Sequence, residues 1–183
     1  MNEQKTVRAY LLDFYKENNF GDDGGVSKSW VWIKFGFFSI PIPNAKSRKS
    51  AIFAHDLHHL VTQNNTTWKG ESAVSAWEIA AGGWSNLYFP WLLTLWALGV
   101  GVLFYPRHTA AAFRKGLTMK NVLFLQKSQQ DIFDLKIEEL IILMSNHPQQ
   151  NKSIFFWFLM GVIVFLSPFL MLAAIIFLSF YLI

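Results

Sequence analysis

The chain has 183 residues, of which 52% are hydrophobic, 17% are aromatic and 15% are charged. An average soluble domain carries about 25% charged residues, so this composition favours a protein in contact with a membrane. The net charge of +4 suits anionic lipid, while the absence of cysteine excludes disulfides and thiolate metal sites. We expect no nucleic acid as a partner, because the aromatic residues lie in apolar runs rather than along a basic stripe.

The first fifty residues are predicted to form a short helix followed by a β-hairpin. Residues 4–19 have the spacing of an amphipathic helix, with an apolar stripe of Val7, Tyr10, Leu11 and Phe14. The GDDGG run that follows predicts a tight turn. Residues 30–42, WVWIKFGFFSIPI, are aromatic and β-branched, which predicts two short strands that turn at Lys34–Gly36. This hairpin is expected to provide either an aromatic surface beside lipid or an apolar cover over the helices.

The stretch 55–71, HDLHHLVTQNNTTWKGE, places three histidines and one aspartate in five consecutive positions. Helical periodicity puts His55 and His59 on one face, one turn apart, with Asp56 about 100° round the helix from His55. His58 points to another side of the helix and is a poorer ligand candidate. The stretch therefore predicts a polar cluster near the end of one helix.

A second helix is expected to return alongside the first. The QNNTT run predicts a short loop, Thr66 or Thr67 predicts an N-cap, and the glycine pair 82–83 predicts the end of this helix. Helices joined by so short a loop are antiparallel neighbours. Glu71, in the first turn of the second helix, is therefore expected to face the histidine pair.

Two imidazoles and two carboxylates form a four-ligand set that suits Zn²⁺, and Fe²⁺ or manganese accept the same ligand types. The predicted metal ligands are His55, Asp56, His59 and Glu71. The alternative is a hydrogen-bonded polar cluster that holds the two helices together without a metal.

The spacing His55-Asp56-x-x-His59, eleven residues and then Glu71 resembles the HDxxH-x11-E metal signature of the coenzyme Q biosynthesis protein 4 family. The flanking HDLHHLVT and GESAVSAWEIAAGG are similar too, and a weaker likeness continues in FRKGLTMKNVLFLQ and IEELIILMSNHP. The resemblance covers residues 48–147. It implies an all-helical, metal-binding protein that handles a polyprenylated quinone precursor at a membrane, with other quinone-biosynthesis proteins as partners. The activity that it implies is removal of the ring C1 carboxylate with hydroxylation.

Residues 84–105 contain no charged residue and are long enough, at about 20 residues, to span a bilayer. Basic residues nevertheless lie on both sides of this run, after its end and before its start, where the histidine motif lies. Because basic flanks favour the cytoplasmic side, both ends of the run are expected on that side. These residues are Arg107, Arg114, Lys115 and Lys120 after the run, and Lys46, Arg48, Lys49 and Lys69 before it. The segment is therefore expected to fold back, to lie at the interface or to pack as a buried helix, without crossing. The N-terminal MNEQKTVRAY has no apolar core of a signal peptide, so the metal domain is expected on the cytoplasmic side.

Residues 106–128 are predicted to form one amphipathic helix that begins at Pro106. Arg114 and Lys115 on it are candidate substrate residues, since they could hold an anionic group. His108 is a candidate extra ligand or base, with contact to lipid headgroups as the favoured interpretation. Residues 130–145 are predicted to form a short linker and a last soluble helix.

Residues 154–183 are thirty uncharged residues and predict a C-terminal membrane anchor. A straight helix of this length would measure about 45 Å, more than the ~30 Å of the hydrocarbon core. Pro168 lies inside the run, so either one tilted span or two limbs of a re-entrant hairpin are expected. The predicted organisation is a mainly α-helical metal-binding domain over residues 1–147, which includes the membrane-interacting helix 84–105, followed by the anchor.

Three functions are compatible with these patterns. By resemblance, the chain is a metal-dependent decarboxylase of a quinone precursor, or presents that precursor to partners, with Glu71 and Asp56 as the candidate catalytic residues. A metal ion would then act as a Lewis acid on a carboxylate or phenolate oxygen. The alternatives are a metal-dependent lipid phosphohydrolase and a non-enzymatic membrane protein.

Overall fold

The computed structural model describes residues 5–35, 38–145 and 147–181, and within them the chain is mainly α-helical, as predicted. In chain order the elements are α1 (Val7–Asn18), β1 (Trp30–Phe35), β2 (Phe38–Pro43), α2 (Lys46–Thr62), α3 (Trp68–Ala80), α4 (Tyr88–Phe104), α5 (Pro106–Gly116), a 3-10 helix (Val122–Phe124), α6 (Gln129–Asp134), α7 (Ile137–Met144) and α8 (Ile154–Tyr181).

The predicted N-terminal helix and hairpin are both present. Helix α1 buries Val7, Leu11, Phe14 and Tyr15, so Tyr15 rather than the half-exposed Tyr10 completes its apolar stripe. Strands β1 and β2 pair antiparallel, with Trp30 opposite Pro43 and Phe35 opposite Phe38. The predicted turn at Lys34–Gly36 falls partly outside the described residues. Trp30 and Trp32 are exposed, so these two rings do not cover the helices.

Helices α2 and α3 form the helix–loop–helix that the motif predicts. Helix α2 ends at Thr62, and the left-handed φ of 57° at Gln63 turns the chain out of the helix. Of the two predicted N-caps, Thr67 is the one used, because its side chain accepts a hydrogen bond from the backbone N–H of Gly70. Helix α3 stops before Gly82 and Gly83, which both have a positive φ that suits glycine.

Helix α4 packs against α3, α5 and α8 as a partly buried helix. Near the start of both helices the ring of Trp91 stacks on that of Trp157, with centroids 5.5 Å apart. Two turns further along, Gly99 lies so close to α8 that a Cβ on it would fall 2.4 Å from the backbone oxygen of Gly161 and 2.5 Å from Cβ of Phe165. Because the contacts advance in the same direction along both helices, α4 and α8 run parallel.

Helix α8 is continuous through Pro168 from Ile154 to Tyr181. Within the described residues it is the one helix that is both long and apolar enough to cross a membrane, with a mean hydropathy of 2.7 over its apolar window. This length and composition are compatible with membrane association. Helix α4 is also apolar but shorter, with 17 residues. That it does not cross a membrane stays a prediction.

Two sequence-based helix boundaries are wrong. The single helix predicted over residues 106–128 ends at Gly116, where a Cβ would fall 2.5 Å from the backbone oxygen of Trp77, and a turn and the short 3-10 helix follow. Residues 130–145, predicted to form a short linker and one helix, instead form two helices, because α6 occupies the place of the predicted linker and α7 follows it. They separate at Leu135, whose extended backbone accepts a hydrogen bond from the N–H of Val7 at 2.8 Å. In both cases a tertiary contact overrides the local helical pattern.

Candidate metal centre

The α2–α3 pair brings His55, His59 and Glu71 together, with one ligand atom from each residue within 4.8 Å of the others. The Nε2 atoms of His55 and His59 are 3.2 Å apart. The Glu71 carboxylate closes the cluster, with Oε2 3.2 Å from Nε2 of His55 and Oε1 3.4 Å from Nε2 of His59. These three residues could hold a metal ion, and they form the juxtaposition that the helical spacing predicts.

The ring nitrogens that point away from the cluster each have a partner. Nδ1 of His59 donates a hydrogen bond to the backbone oxygen of Asn64 at 3.0 Å. Since a carbonyl oxygen can only accept, this contact fixes the proton on Nδ1 and leaves the lone pair of Nε2 directed into the cluster. Nδ1 of His55 donates in the same way to Oε1 of Glu78 at 2.8 Å. Metal-binding histidines are usually held by such a carboxylate or carbonyl contact on the outer nitrogen.

The cluster therefore joins two imidazole lone pairs and a carboxylate. Because the outer nitrogen of each ring carries the proton, Nε2 of His55, Nε2 of His59 and the Glu71 oxygens are all hydrogen-bond acceptors. A donor appears among them only if one ring gains a second proton. Three converging acceptors repel one another unless a cation lies among them. Nitrogen and carboxylate donors of this kind fit Zn²⁺ and also Fe²⁺, so the residues present suit a metal without selecting one.

Without a metal, the cluster attracts a proton. Burial by itself lowers the pKa of His55, but the negative charges of Glu78 and Glu71 outweigh burial and raise it well above its ordinary value. Burial also acts against the charged form of Glu78, yet the contacts with His55 and His58 lower the pKa of its carboxyl to about 2. The same balance, with His55 and His59 as partners, holds the pKa of Glu71 below its usual range. Metal binding must therefore displace a proton from the cluster.

Glu78 is a site residue that the sequence-based prediction missed. Its side chain is fully buried, and Oε1 accepts hydrogen bonds from Nδ1 of both His55 and His58, at 2.8 and 2.9 Å. The hydroxyl of Thr94 lies 3.4 Å from Oε2 and accepts a 2.7 Å hydrogen bond from the indole of Trp84. The sequence did contain a signal for this residue, because Glu78 lies seven residues after Glu71 and hence on the same face of α3.

The structure does not bring Asp56 into this three-residue cluster. Its position about 100° round α2 directs the carboxylate towards α1 and the turn that follows it. There a Cβ on Gly24 would fall 2.9 Å from Oδ2 of Asp56 and 2.9 Å from the hydroxyl oxygen of Tyr15. Burial raises the pKa of Asp56 to about 6, although the neighbouring His55 and His59 act in the opposite direction. A ligand or catalytic role for Asp56 stays a prediction from the motif.

The basic candidates on α5 lie at different distances from the centre. Nε2 of His108 is 3.2 Å from Oδ1 of Asn64, the residue whose backbone oxygen holds His59, so His108 contacts the loop and not the cluster. Arg114 and Lys115 are exposed in the last turn of α5, about 9 Å further along that helix. If Arg114 and Lys115 bind a substrate, as predicted, they would contact a part of it that is distant from the cluster.

The centre has one accessible edge. The side chain of His59 is 1% exposed, whereas those of His55 and Glu71 are 30% and 27% exposed. A ligand can therefore approach from the side of His55 and Glu71, while His59 and Glu78 are enclosed.

Comparisons of the chain with protein-family models, with curated proteins and with solved structures give no match. The site must therefore be interpreted from its own residues and from the spacing of its motif.

Proposed function

We propose that this chain is a membrane-attached metal protein that acts on a polyprenylated quinone precursor, or presents it to partner proteins. The observation that carries the metal part is the convergence of Nε2 of His55, Nε2 of His59 and the Glu71 carboxylate, with both outer ring nitrogens fixed by acceptors. The quinone part rests on the resemblance of the HDxxH-x11-E spacing to the coenzyme Q biosynthesis protein 4 family. The apolar helix α8 supports membrane attachment, and we place the metal domain on the cytoplasmic side.

The chemistry follows from the donor set. A bound metal would supply a Lewis acid for a carboxylate or phenolate oxygen of the ligand. His55 and His59 would hold it through Nε2, and the half-exposed Glu71 would serve as a ligand or as a base at the accessible edge. Loss of an aryl carboxylate as carbon dioxide is easier when negative charge on the ring is stabilised nearby. Zn²⁺ has no redox chemistry and cannot activate oxygen, so hydroxylation would require O₂ as the oxidant together with Fe²⁺ at this site or with a partner protein.

The two alternatives make different demands on the structure. A lipid phosphohydrolase would need additional ligands around the metal. His108 on α5 was the candidate for an extra ligand, and it contacts Asn64 instead of the cluster. A non-enzymatic role would reduce the cluster to a polar contact between α2 and α3. The metal content of the purified protein distinguishes this non-enzymatic role from the proposed metal protein.

The first experiment measures metal by inductively coupled plasma mass spectrometry on protein purified in detergent without chelator. We expect about one Zn or Fe per chain in the wild type and loss of the metal in His59→Ala and Glu71→Ala, with circular dichroism showing that both variants stay folded. His147→Ala is the matched control, since Nε2 of His147 contacts the backbone of Leu143 outside the cluster. Wild-type protein without metal would contradict the metal proposal.

The second experiment tests the quinone part. A prenylated hydroxybenzoate labelled with ¹³C in the ring carboxylate is incubated with metal-loaded protein, and release of labelled carbon dioxide is measured alongside binding of the intact compound. Metal-dependent release supports the enzyme, and stoichiometric binding without release supports presentation to partners. If metal-loaded protein shows neither release of labelled carbon dioxide nor binding of the compound, the quinone assignment is refuted. The metal centre is unaffected by that result.

A further inference from the structure

The C-terminal half of α8 projects beyond the rest of the described chain. Residues 168–180 are all exposed, and none of them is charged. Helix α4 runs parallel to α8 and ends at Phe104, five residues after the contact of Gly99 with Gly161 and Phe165. With a rise of about 1.5 Å per residue, the exposed part of α8 extends about 20 Å past the last turn of α4.

The metal centre lies at this same end of the molecule. Glu71 is in the first turn of α3, and its neighbour Ser72 packs near the end of α4, where a Cβ on Gly101 would fall 2.6 Å from Cβ of Ser72. Glu78 lies two turns further from this end, beside Thr94 in the middle of α4. The accessible edge formed by Glu71 is therefore level with the point where α8 leaves the helical body.

The surface around the centre combines apolar and basic side chains. Leu103 and Phe104, in the last turn of α4, are 45% and 64% exposed. Phe104 lies one turn beyond Gly101, the residue that packs against Ser72 of α3. Lys69 on α3 and Arg107 on α5 are exposed cations at the same level. Exposed apolar side chains bordered by cations are typical of a surface that contacts anionic lipid.

We infer that this end of the molecule, formed by the α2–α3 loop, the α4–α5 corner and the projecting part of α8, faces an anionic lipid bilayer, so that the metal centre lies at the headgroup level. Helix α8 is exposed on every side over more than three turns. A bilayer surrounds such a helix completely, whereas a single docked protein covers one face of it. The inference rests on the proposed membrane attachment and goes further by assigning the orientation.

This orientation specifies how a ligand would reach the centre. An amphiphile in the bilayer keeps its chain among the acyl chains and its polar group at the headgroup level. A polar ring could then meet His55 and Glu71 while its isoprenoid chain stays in lipid. The class of ligand that fits is a membrane-resident amphiphile with an anionic or phenolic head, which does not have to leave the bilayer.

The absence of cysteine allows a direct test with single-cysteine variants of the full chain. Arg107→Cys and Lys69→Cys place a fluorophore at the centre's end. Gln149→Cys is the matched control at the opposite end, because the adjacent Gln150 N–H bonds to the backbone oxygen of Leu117, just past the end of α5. Ser179→Cys reports insertion of α8. Each labelled protein is reconstituted into phosphatidylcholine–phosphatidylglycerol vesicles, and quenching by lipids spin-labelled at the headgroup or deep in the acyl chain is measured.

We expect acyl-chain quenching at position 179, and headgroup quenching at positions 69 and 107 at least threefold stronger than at position 149. Quenching at position 149 that equals or exceeds that at 69 and 107 would overturn the orientation. If position 179 is quenched at the same time, attachment stands and only the orientation fails. If position 179 is not quenched, the proposed attachment fails together with the orientation. Metal content of each variant, measured in parallel, shows whether the labelled protein is intact.

Discussion

The carboxylate of Glu78 accepts a 2.8 Å hydrogen bond from Nδ1 of His55 and thereby aims the opposite nitrogen of that ring at His59 and Glu71. Glu78 is fully buried, and its hydrogen bond to the cluster goes to the outer nitrogen of His55, on the side away from His59 and Glu71. It therefore positions a predicted ligand without being one.

Replacing Glu78 with glutamine should weaken metal binding by about 10- to 100-fold, because the neutral amide no longer raises the basicity of His55 or fixes its ring as strongly. The measurement is a competition titration of purified protein against a chelator of known affinity. Glu138→Gln changes an exposed carboxylate on α7 and should leave the affinity unchanged. Equal affinities in Glu78→Gln and the wild type would show that Glu78 does not support the centre.

Replacing Asp56 with asparagine tests both its placement and its charge. In the structure Asp56 lies outside the cluster, so Asp56→Asn should retain the metal. The folded-state pKa of about 6 exceeds the ordinary value of 3.8, so the carboxyl favours folding at low pH and this contribution is lost as the pH rises through 6. In metal-free protein, Asp56→Asn should therefore raise the free energy of unfolding at pH 8 by up to about 3 kcal/mol and change it little at pH 4.

Chemical denaturation at the two pH values, with exposed Asp22→Asn as the control, measures this difference. Loss of the metal in Asp56→Asn would instead establish Asp56 as the fourth ligand, in line with the motif and against its placement beside Tyr15 and Gly24.

Replacing Gly70 with alanine should weaken metal binding although every ligand remains. A Cβ at this position would fall 1.9 Å from the backbone oxygen of Asn65, so the loop between α2 and α3 must move. Glu71 and the Asn64 carbonyl both depend on that loop, and we expect at least a tenfold loss of affinity. Lys69→Ala, at the exposed neighbouring position, is the control in the same titration. An unchanged affinity in Gly70→Ala would mean that the loop does not position the ligands.

Replacing Gly99 with alanine should separate α4 from α8. The added methyl group would fall 2.4 Å from the backbone oxygen of Gly161, and overpacking of this kind typically costs about 1–3 kcal/mol. Thermal unfolding in detergent should show a lower midpoint, whereas Leu92→Ala on an exposed face of α4 should be nearly neutral. A midpoint for Gly99→Ala equal to that of the wild type would show that the two helices do not pack so closely.

Local patterns were sufficient for the helices around the motif. The Thr67 cap, the glycine pair that ends α3 and the apolar run of α8 each depend on residues close together in the chain. The spacing of His55 and His59 on one helix, and the return of Glu71 by a short loop, are likewise consequences of local geometry. Those features could be predicted because neighbouring residues alone determine them.

Other features depended on contacts between distant parts of the chain. The sequence by itself determined a mainly helical protein with a His–Glu cluster and one long apolar helix. Only the tertiary structure decided that Glu78 supports His55, that Asp56 turns towards Tyr15, and that α5 ends at Gly116. The physical reason is that these features depend on burial and on steric fit between different elements. Local periodicity does not encode either of them, so it cannot predict the partners of a buried carboxylate or the residue at which a packed helix ends.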